Sequence, residues 1–263
     1  MSINSKVVVI TGSSRGIGFG LAERFLEKGN KVVITGTSEN SVNKAEDELK
    51  MHSTKMMSIV CNVTDKESIN KLVKEVDGKF GRIDIWINNA GVNHSTNSIM
   101  ELDENEINNV INVNAFGVIN GSRAIGKYML NQGHGAIYNM EGLGSDGRIV
   151  NGSDYYGMTK RMVRYFTRCL AKEFNNTDVI IGRLSPGMVL TDFLLKGIEK
   201  SPNKESTLKI YKILADKVPV VTDYLCKKIL DNKKNGAYIA WLTNSKILIR
   251  FLTAPITKRD PMK

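Results

Sequence analysis

Short apolar runs alternate with longer segments of helical period along almost the whole chain, and this alternation is what most constrains the fold. Lys6–Thr11, Val32–Thr35, Met57–Cys61, Ile83–Ile87, Ala136–Asn139, Val179–Leu184 and Ala237–Trp241 read as strands. Between them lie helical stretches: Ile17–Glu27 with Leu21, Ala22, Phe25 and Leu26 on one face, Ser41–Leu49, and Asp65–Phe80 with Ile69, Leu72, Val73 and Val76 in register. Long helices are expected over 106–131 and 154–175, and a shorter one near 220–231. Strands of unbroken apolar residues are buried on both faces, and parallel neighbours need a crossover of a dozen or more residues, usually a helix. The pattern therefore predicts an α/β fold: a doubly wound, mostly parallel seven-stranded sheet with helices on both faces.

With 263 residues and 41% hydrophobic content, the chain can bury one large core. No Pro/Gly/Ser-rich linker, internal repeat or low-complexity segment divides it, so a single domain over 1–263 is expected. Its apolar runs fall far short of a bilayer span, and no cleavage-site pattern follows the first of them. Cys61, Cys169 and Cys226 are widely separated and lack metal-ligand spacing, so free thiols, a cytoplasmic location and no metal are expected. The net charge of +10 is concentrated late in the chain. Residues 1–192 hold 22 Lys+Arg against 21 Asp+Glu, whereas 193–263 hold 15 against 6. No aromatic-basic platform or recognition-helix motif accompanies the excess, which argues against nucleic acid and for a solvated basic face.

Two motifs carry chemistry. Thr11-Gly12-Ser13-Ser14-Arg15-Gly16-Ile17-Gly18 lies between the first strand and the first helix. Glycines there allow a tight turn and close backbone approach to a pyrophosphate at the helix N-terminus, the Rossmann-type arrangement. Tyr156 and Lys160 stand four residues apart on a helix, hence on one face. A phenol titrating near 10 is a poor acid or base at neutral pH, and a neighbouring ammonium favours its phenolate.

These residues resemble the short-chain dehydrogenase/reductase family over about the first 195 positions. Thr11–Gly18 is similar to its glycine turn, and Asn88-Asn89-Ala90-Gly91 to the element that stabilises the sheet and lines the adenine-ribose side. Asn114 matches the family's helix asparagine, Tyr156 and Lys160 its active pair, and Pro186-Gly187 with Thr191 the element beside the nicotinamide. The resemblance implies interconversion of a carbonyl and an alcohol by hydride transfer on a small-molecule substrate. Tyr156 would act as acid/base, Lys160 would lower its pKa and hold the ribose, and Asn114 would anchor a water leading to solvent. It also implies a cofactor site of Gly12, Ser14, Arg15, Gly16, Ile17, Gly18, Thr37, Ser38, Asn62, Val63, Asn89, Ala90, Gly91, Tyr156, Lys160, Pro186, Gly187, Val189 and Thr191. A homodimer or homotetramer built through the helices at 106–131 and 154–175 follows from the same likeness.

The cofactor expected is NADP(H). The second strand ends Thr35-Gly36-Thr37-Ser38 without the carboxylate that NAD-binding members of this fold place on the ribose 2′-OH. Arg15 supplies a fork for a 2′-phosphate, and Thr37 and Ser38 add hydroxyls. Elsewhere the chain departs from the family. The serine pair after the fifth strand falls on Glu141 and Gly142, leaving Ser145 as the nearest substitute hydroxyl. The stretch Asn139-Met140-Glu141-Gly142-Leu143-Gly144-Ser145 resembles chlorophyll(ide) b reductases, as do 184–192 and the tail at 249–253. A formyl-tetrapyrrole joins a hydroxysteroid and a 3-oxoacyl thioester as substrate classes, and a catalytically silent NADP-binding protein is the alternative from outside enzymology. A variable substrate loop is expected at about 192–218. The tail at about 243–263 carries a short apolar-basic segment that could meet a membrane, a partner subunit or the protein's own core.

Overall fold

The computed structural model describes residues 5–199, 204–257 and 259–262, so the domain, loop and tail expected above extend partly onto positions outside the described residues. In chain order the elements are β1 (Val7–Ile10), α1 (Gly16–Glu27), β2 (Lys31–Gly36), α2 (Glu39–Glu48), a 3₁₀ stretch (Lys50–Lys55), β3 (Met56–Val60), α3 (Lys66–Phe80) and β4 (Ile85–Asn88). Then come α4 (Glu104–Ile111), a π-turn (Asn112–Phe116), α5 (Gly117–Gln132), β5 (Gly135–Met140), α6 (Asp154–Glu173) and β6 (Val179–Ser185). The chain ends in β7 (Val189–Leu190), α7 (Asp192–Glu199), α8 (Lys204–Leu214), β8 (Asp216–Lys217), α9 (Val218–Asp231), β9 (Ala237–Ala240) and α10 (Asn244–Thr257).

Seven strands form one sheet in the order β3-β2-β1-β4-β5-β6-β9, with every neighbouring pair parallel. Alternate residues of β1 feed two cores. Val8 and Ile10 meet Leu21, Phe25, Val221 and Leu225 on the face covered by α1 and α9. Val7 and Val9 meet Leu72, Val76, Ile125 and Met129 on the face covered by α3 and α5. This two-sided burial is why the strands read as continuous apolar runs, and each such fully buried side chain contributes roughly 1.5–3 kcal/mol. The strand order reverses between β1 and β4, and the crevice beyond their C-terminal ends is where ligands of this architecture bind.

The expected elements form close to their expected bounds, with three differences. The helix at 106–131 is two α-helices joined by the π-turn, which carries Asn114. The described residues of the 192–218 region form α7, α8 and β8, and β8 pairs with β7, which lies just before the region. The tail forms a helix, α10, over Asn244–Thr257, and none of its residues is buried, so of the three surroundings left open for its apolar segment the protein's own core is the one not found. A polar cluster holds it instead. Buried Asp216 accepts hydrogen bonds from Arg250 Nη1 at 2.8 Å, Arg250 Nη2 at 3.1 Å and Trp241 Nε1 at 2.6 Å, and it also pairs with Arg259.

Candidate active site

The glycine turn is locked from beneath by polar bonds. Thr11 Oγ1 accepts from Asn89 N at 3.0 Å and Ala90 N at 3.1 Å, while Asn89 Nδ2 donates to Thr11 O and Gly12 O at 2.9 and 3.0 Å. Gly12 has φ +61°, and a Cβ there would lie 2.8 Å from Ala90 Cα. At Gly18 a Cβ would lie 2.5 Å from both Asn89 Nδ2 and Gly12 O, so neither position admits a side chain. Helices α2, α3 and α4 start with Ser38, Asp65 and Asp103 accepting from their first-turn amides. Helix α1 differs. It starts at Arg15 in extended backbone, with no side-chain cap and no acidic residue in its first turn. Its N-terminal amides are therefore left for an external anion.

At the end of β2, Arg15, Thr37 and Ser38 are exposed, and Arg15 has no ion pair among the described residues. Ser38 Oγ caps α2 by accepting from Ser41 N at 3.3 Å. Gly36 is closely packed, since a Cβ there would come within 2.7 Å of Ser41 Oγ and 3.1 Å of Ser14 Oγ. Asn62 Oδ1 is taken by Thr64 N and Thr64 Oγ1 at 3.1 and 2.9 Å, which turns the chain after β3, and Val63 is buried against Gly117. Ile17 packs on the core beneath the turn, and Gly16, at φ +60°, faces Thr191. Gly187, at φ +71°, lies against Leu242, Val189 is buried in β7, and Thr191 Oγ1 accepts from Leu194 N at the start of α7. A crevice with an uncapped helix end and side-chain-free turns fits a nicotinamide dinucleotide.

Tyr156 and Lys160 share one face of α6, with Lys160 Nζ 5.5 Å from the tyrosine ring centre. Lys160 is buried and donates to Met140 O at 3.3 Å. Burial brings its pKa down to about 8, against the opposing pull of the Glu141 carboxylate. Burial also pushes the Tyr156 phenol up. That direction is opposite to the lowering by Lys160 expected from the sequence. Asn114 is fully buried: Oδ1 accepts from Val92 N at 2.8 Å, and Nδ2 donates to Val92 O at 2.9 Å and Thr159 Oγ1 at 3.3 Å. Thr159 Oγ1 in turn donates to Tyr156 O at 2.7 Å, which ties the π-turn to the tyrosine helix. Gly91 lies where Asn114 and Lys160 converge, since a Cβ there would be 3.3 Å from Asn114 Oδ1 and 3.6 Å from Lys160 Nζ.

The expected role of Ser145 fits the geometry poorly. Its hydroxyl donates to Glu141 Oε2 at 3.2 Å, and its carbonyl accepts from Arg161 and Arg164. Glu141 is buried and paired with Arg183 at 3.0 Å, so Ser145 belongs to the support of this ion pair. The position against the tyrosine hydroxyl is Gly142, where a Cβ would come within 2.4 Å of Tyr156 Oη. Phe193 of α7, which the sequence reading missed, tilts over Tyr156 with ring centres 5.8 Å apart. The element Asn88-Asn89 also divides its work: Asn88 Nδ2 bonds Asn139 Oδ1 at 2.7 Å and Ser122 Oγ at 3.0 Å inside the sheet layer, while Asn89 faces the turn.

Residues 6–201 match the model of the short chain dehydrogenase family. The chain belongs to this family. It is an oxidoreductase by that membership, built on a fold whose members bind nicotinamide dinucleotides. Among curated relatives, it is 37% identical over 257 residues to chlorophyll(ide) b reductase NOL, chloroplastic, of Oryza sativa subsp. japonica, covering 94% of this chain and 74% of the relative. It is 33% identical to the probable chlorophyll(ide) b reductase NYC1, chloroplastic, of Arabidopsis thaliana, covering 94% of this chain but only 52% of that longer protein. Among solved structures, ElxO with NADP bound matches at TM-score 0.80 and 27% identity, covering 90% of this chain and 96% of that one.

Proposed function

We propose that this family member is an NADP(H)-dependent carbonyl reductase whose substrate is an aldehyde of the formyl-tetrapyrrole class. The observation that carries the reaction is the convergence of Tyr156, Lys160 and the Asn114 π-turn beside the open N-terminus of α1. When bound, the cofactor supplies the hydride. Arg15, Thr37 and Ser38 would hold its adenosine 2′-phosphate, the first turn of α1 would take the pyrophosphate, Pro186–Thr191 would hold the nicotinamide end, and Asn62 with Val63 would hold the adenine. Lys160 holds the ribose, and Tyr156 gives its hydroxyl proton to the substrate oxygen as charge develops there. Asn114 keeps the π-turn and α6 in register, so that protons return to Tyr156 from solvent along Lys160.

The substrate class is supported by the relatives' names. Gly142 brings loop backbone, not a serine hydroxyl, up against Tyr156 Oη, so the second contact to the substrate oxygen falls to that backbone. The chain acts as one catalytic domain in the cytoplasm, a reading supported by the wide spacing of Cys61, Cys169 and Cys226, which suits reduced thiols. Exposed Met158, Met162 and Tyr165 on α6, with Phe116 on the π-turn, support self-association through these helices, which light scattering would reject by showing a monomer at micromolar concentration. NADPH oxidation with formyl-tetrapyrroles, steroid ketones and 3-oxoacyl thioesters tests the function. Turnover confined to the first class is expected. Turnover of only the others removes the substrate class, and none at all removes the enzyme reading.

A further inference from the structure

We propose that the outer face of α10 is a docking surface for an anionic lipid membrane. Leu248, Leu252 and Ile256 recur every four residues and are 61%, 69% and 83% exposed, with Ile249 beside them at 59%. Apolar residues scattered singly on a surface need no explanation, but a continuous helical row does. Helix α10 contains no Asp or Glu, and its own Lys246 and Arg250 are turned to Trp241 and Asp216. The basic background comes from α8, which packs on it and carries Lys204, Lys209 and Lys212 against Glu205 alone, within a segment 193–263 of 15 Lys+Arg and 6 Asp+Glu. An apolar stripe on a basic background is the composition of a helix lying in the interface of an anionic bilayer. The helix is not loosely hung. The Asp216 cluster with Arg250, Arg259 and Trp241 fixes it to the body, so the apolar row is presented as a preformed ridge.

Charge decides between this occupant and a second copy of the chain. Self-pairing through α10 would press two strongly basic segments together, whereas an anionic surface attracts both. No described helix is long and apolar enough to cross a membrane, so the contact is peripheral and reversible. Helix α10 packs on α8 and α8 on α7, whose Phe193 overlies Tyr156, so docking would bring the site's flap to the lipid. The inference rests on the surface alone and not on the proposed substrate.

The full chain is sedimented with vesicles of phosphatidylcholine alone or enriched in phosphatidylglycerol. Partition to the enriched vesicles is expected to be at least about tenfold higher and to weaken as salt rises. The triple variant Leu248→Ser, Leu252→Ser, Ile256→Ser should lose at least about tenfold in partition, with its soluble cofactor affinity unchanged, because no exposed α10 residue contributes to the frame. The single Leu252→Ser, with a smaller loss in the same direction, covers the case in which the triple variant folds poorly. Equal partition to both vesicle types, or none, overturns the proposal. So does salt-sensitive binding indifferent to the serine variants, which would assign the basic surface to an acidic protein. A dimer that dissociates in the triple variant while vesicle partition is unchanged would make this face a self-interface.

Discussion

Helices α1 and α10 carry apolar residues at the same spacing and put them to opposite uses. Leu21, Ala22, Phe25 and Leu26 of α1 are buried against the sheet, and that burial aims an uncapped N-terminus at the crevice. No described residue of α10 is buried, and its place is set by arginines converging on Asp216. The first helix is thus held by packing and the last by charge. The difference separates the molecule into a frame, the seven-stranded sheet with α1–α6 and α9, that would run the hydride and proton chemistry, and a flap of α7, α8 and α10 that would govern what approaches.

The largest expected effect tests whether the chemistry belongs to the frame. Tyr156→Phe should lower kcat by at least about 10²-fold, the usual scale for a positioned acid, while NADPH binding measured by fluorescence stays within about threefold. Near-normal turnover would remove Tyr156 from its role. The same site makes a pH statement. Lys160 loses its charge as pH rises through about 8, so kcat/KM for reduction should fall on the alkaline side of that value. A profile flat to pH 10 would show that the ammonium is not needed.

Asp216→Ala should break the flap without breaking the frame. Removing one partner of a buried charge cluster costs about 3–5 kcal/mol, because the arginines are left unpaired. The outcome to measure is early proteolysis within 244–262 at a temperature where the cofactor still binds. Cooperative loss of both together would mean that frame and flap fold as one unit.

How much of this was legible in the sequence follows the same division. The frame was readable because two-sided burial writes itself as apolar runs and the glycine turn has obligatory positions, Gly12 and Gly18, that no side chain can occupy. The π-turn at Asn112–Phe116 was not, since its side chains keep a helical period while only the hydrogen-bond register changes. In the flap, apolar residues normally signal a buried face, and nothing local in Leu248 or Ile256 says that theirs stays outside. Phe193 reaches Tyr156 only through the tertiary placement of α7.

Cofactor choice gives a smaller effect, confined to one exposed side chain of the frame. NADPH should bind at least about tenfold more tightly than NADH, or 1.4 kcal/mol. Arg15→Ala should abolish most of that preference and leave NADH affinity nearly unchanged, because Arg15 has no ion pair among the described residues that its loss would disrupt. Equal affinities in the unaltered protein, measured at fixed moderate salt, would overturn the NADP(H) assignment.

The smallest effect is expected at Ser145, and it distinguishes a hydroxyl that touches the substrate from one that supports the loop. A hydroxyl on the substrate oxygen strengthens its bond as charge develops, and losing it would lower kcat by well over tenfold. Ser145 instead donates to Glu141 Oε2, while Glu141 Oε1 accepts from Arg183. Gly142 occupies the place beside Tyr156 Oη. Ser145→Ala leaves Glu141 its stronger partner, so kcat should fall by less than about threefold, with a stability loss of about 1 kcal/mol for one neutral donor. Glu141→Gln, by contrast, strands the Arg183 charge and removes a carboxylate that holds the Lys160 pKa up, so the alkaline limb of kcat/KM should move to lower pH. If Ser145→Ala proves the more damaging of the two in kcat, the loop turns its hydroxyl to the substrate during turnover, and Ser145 is the missing serine after all.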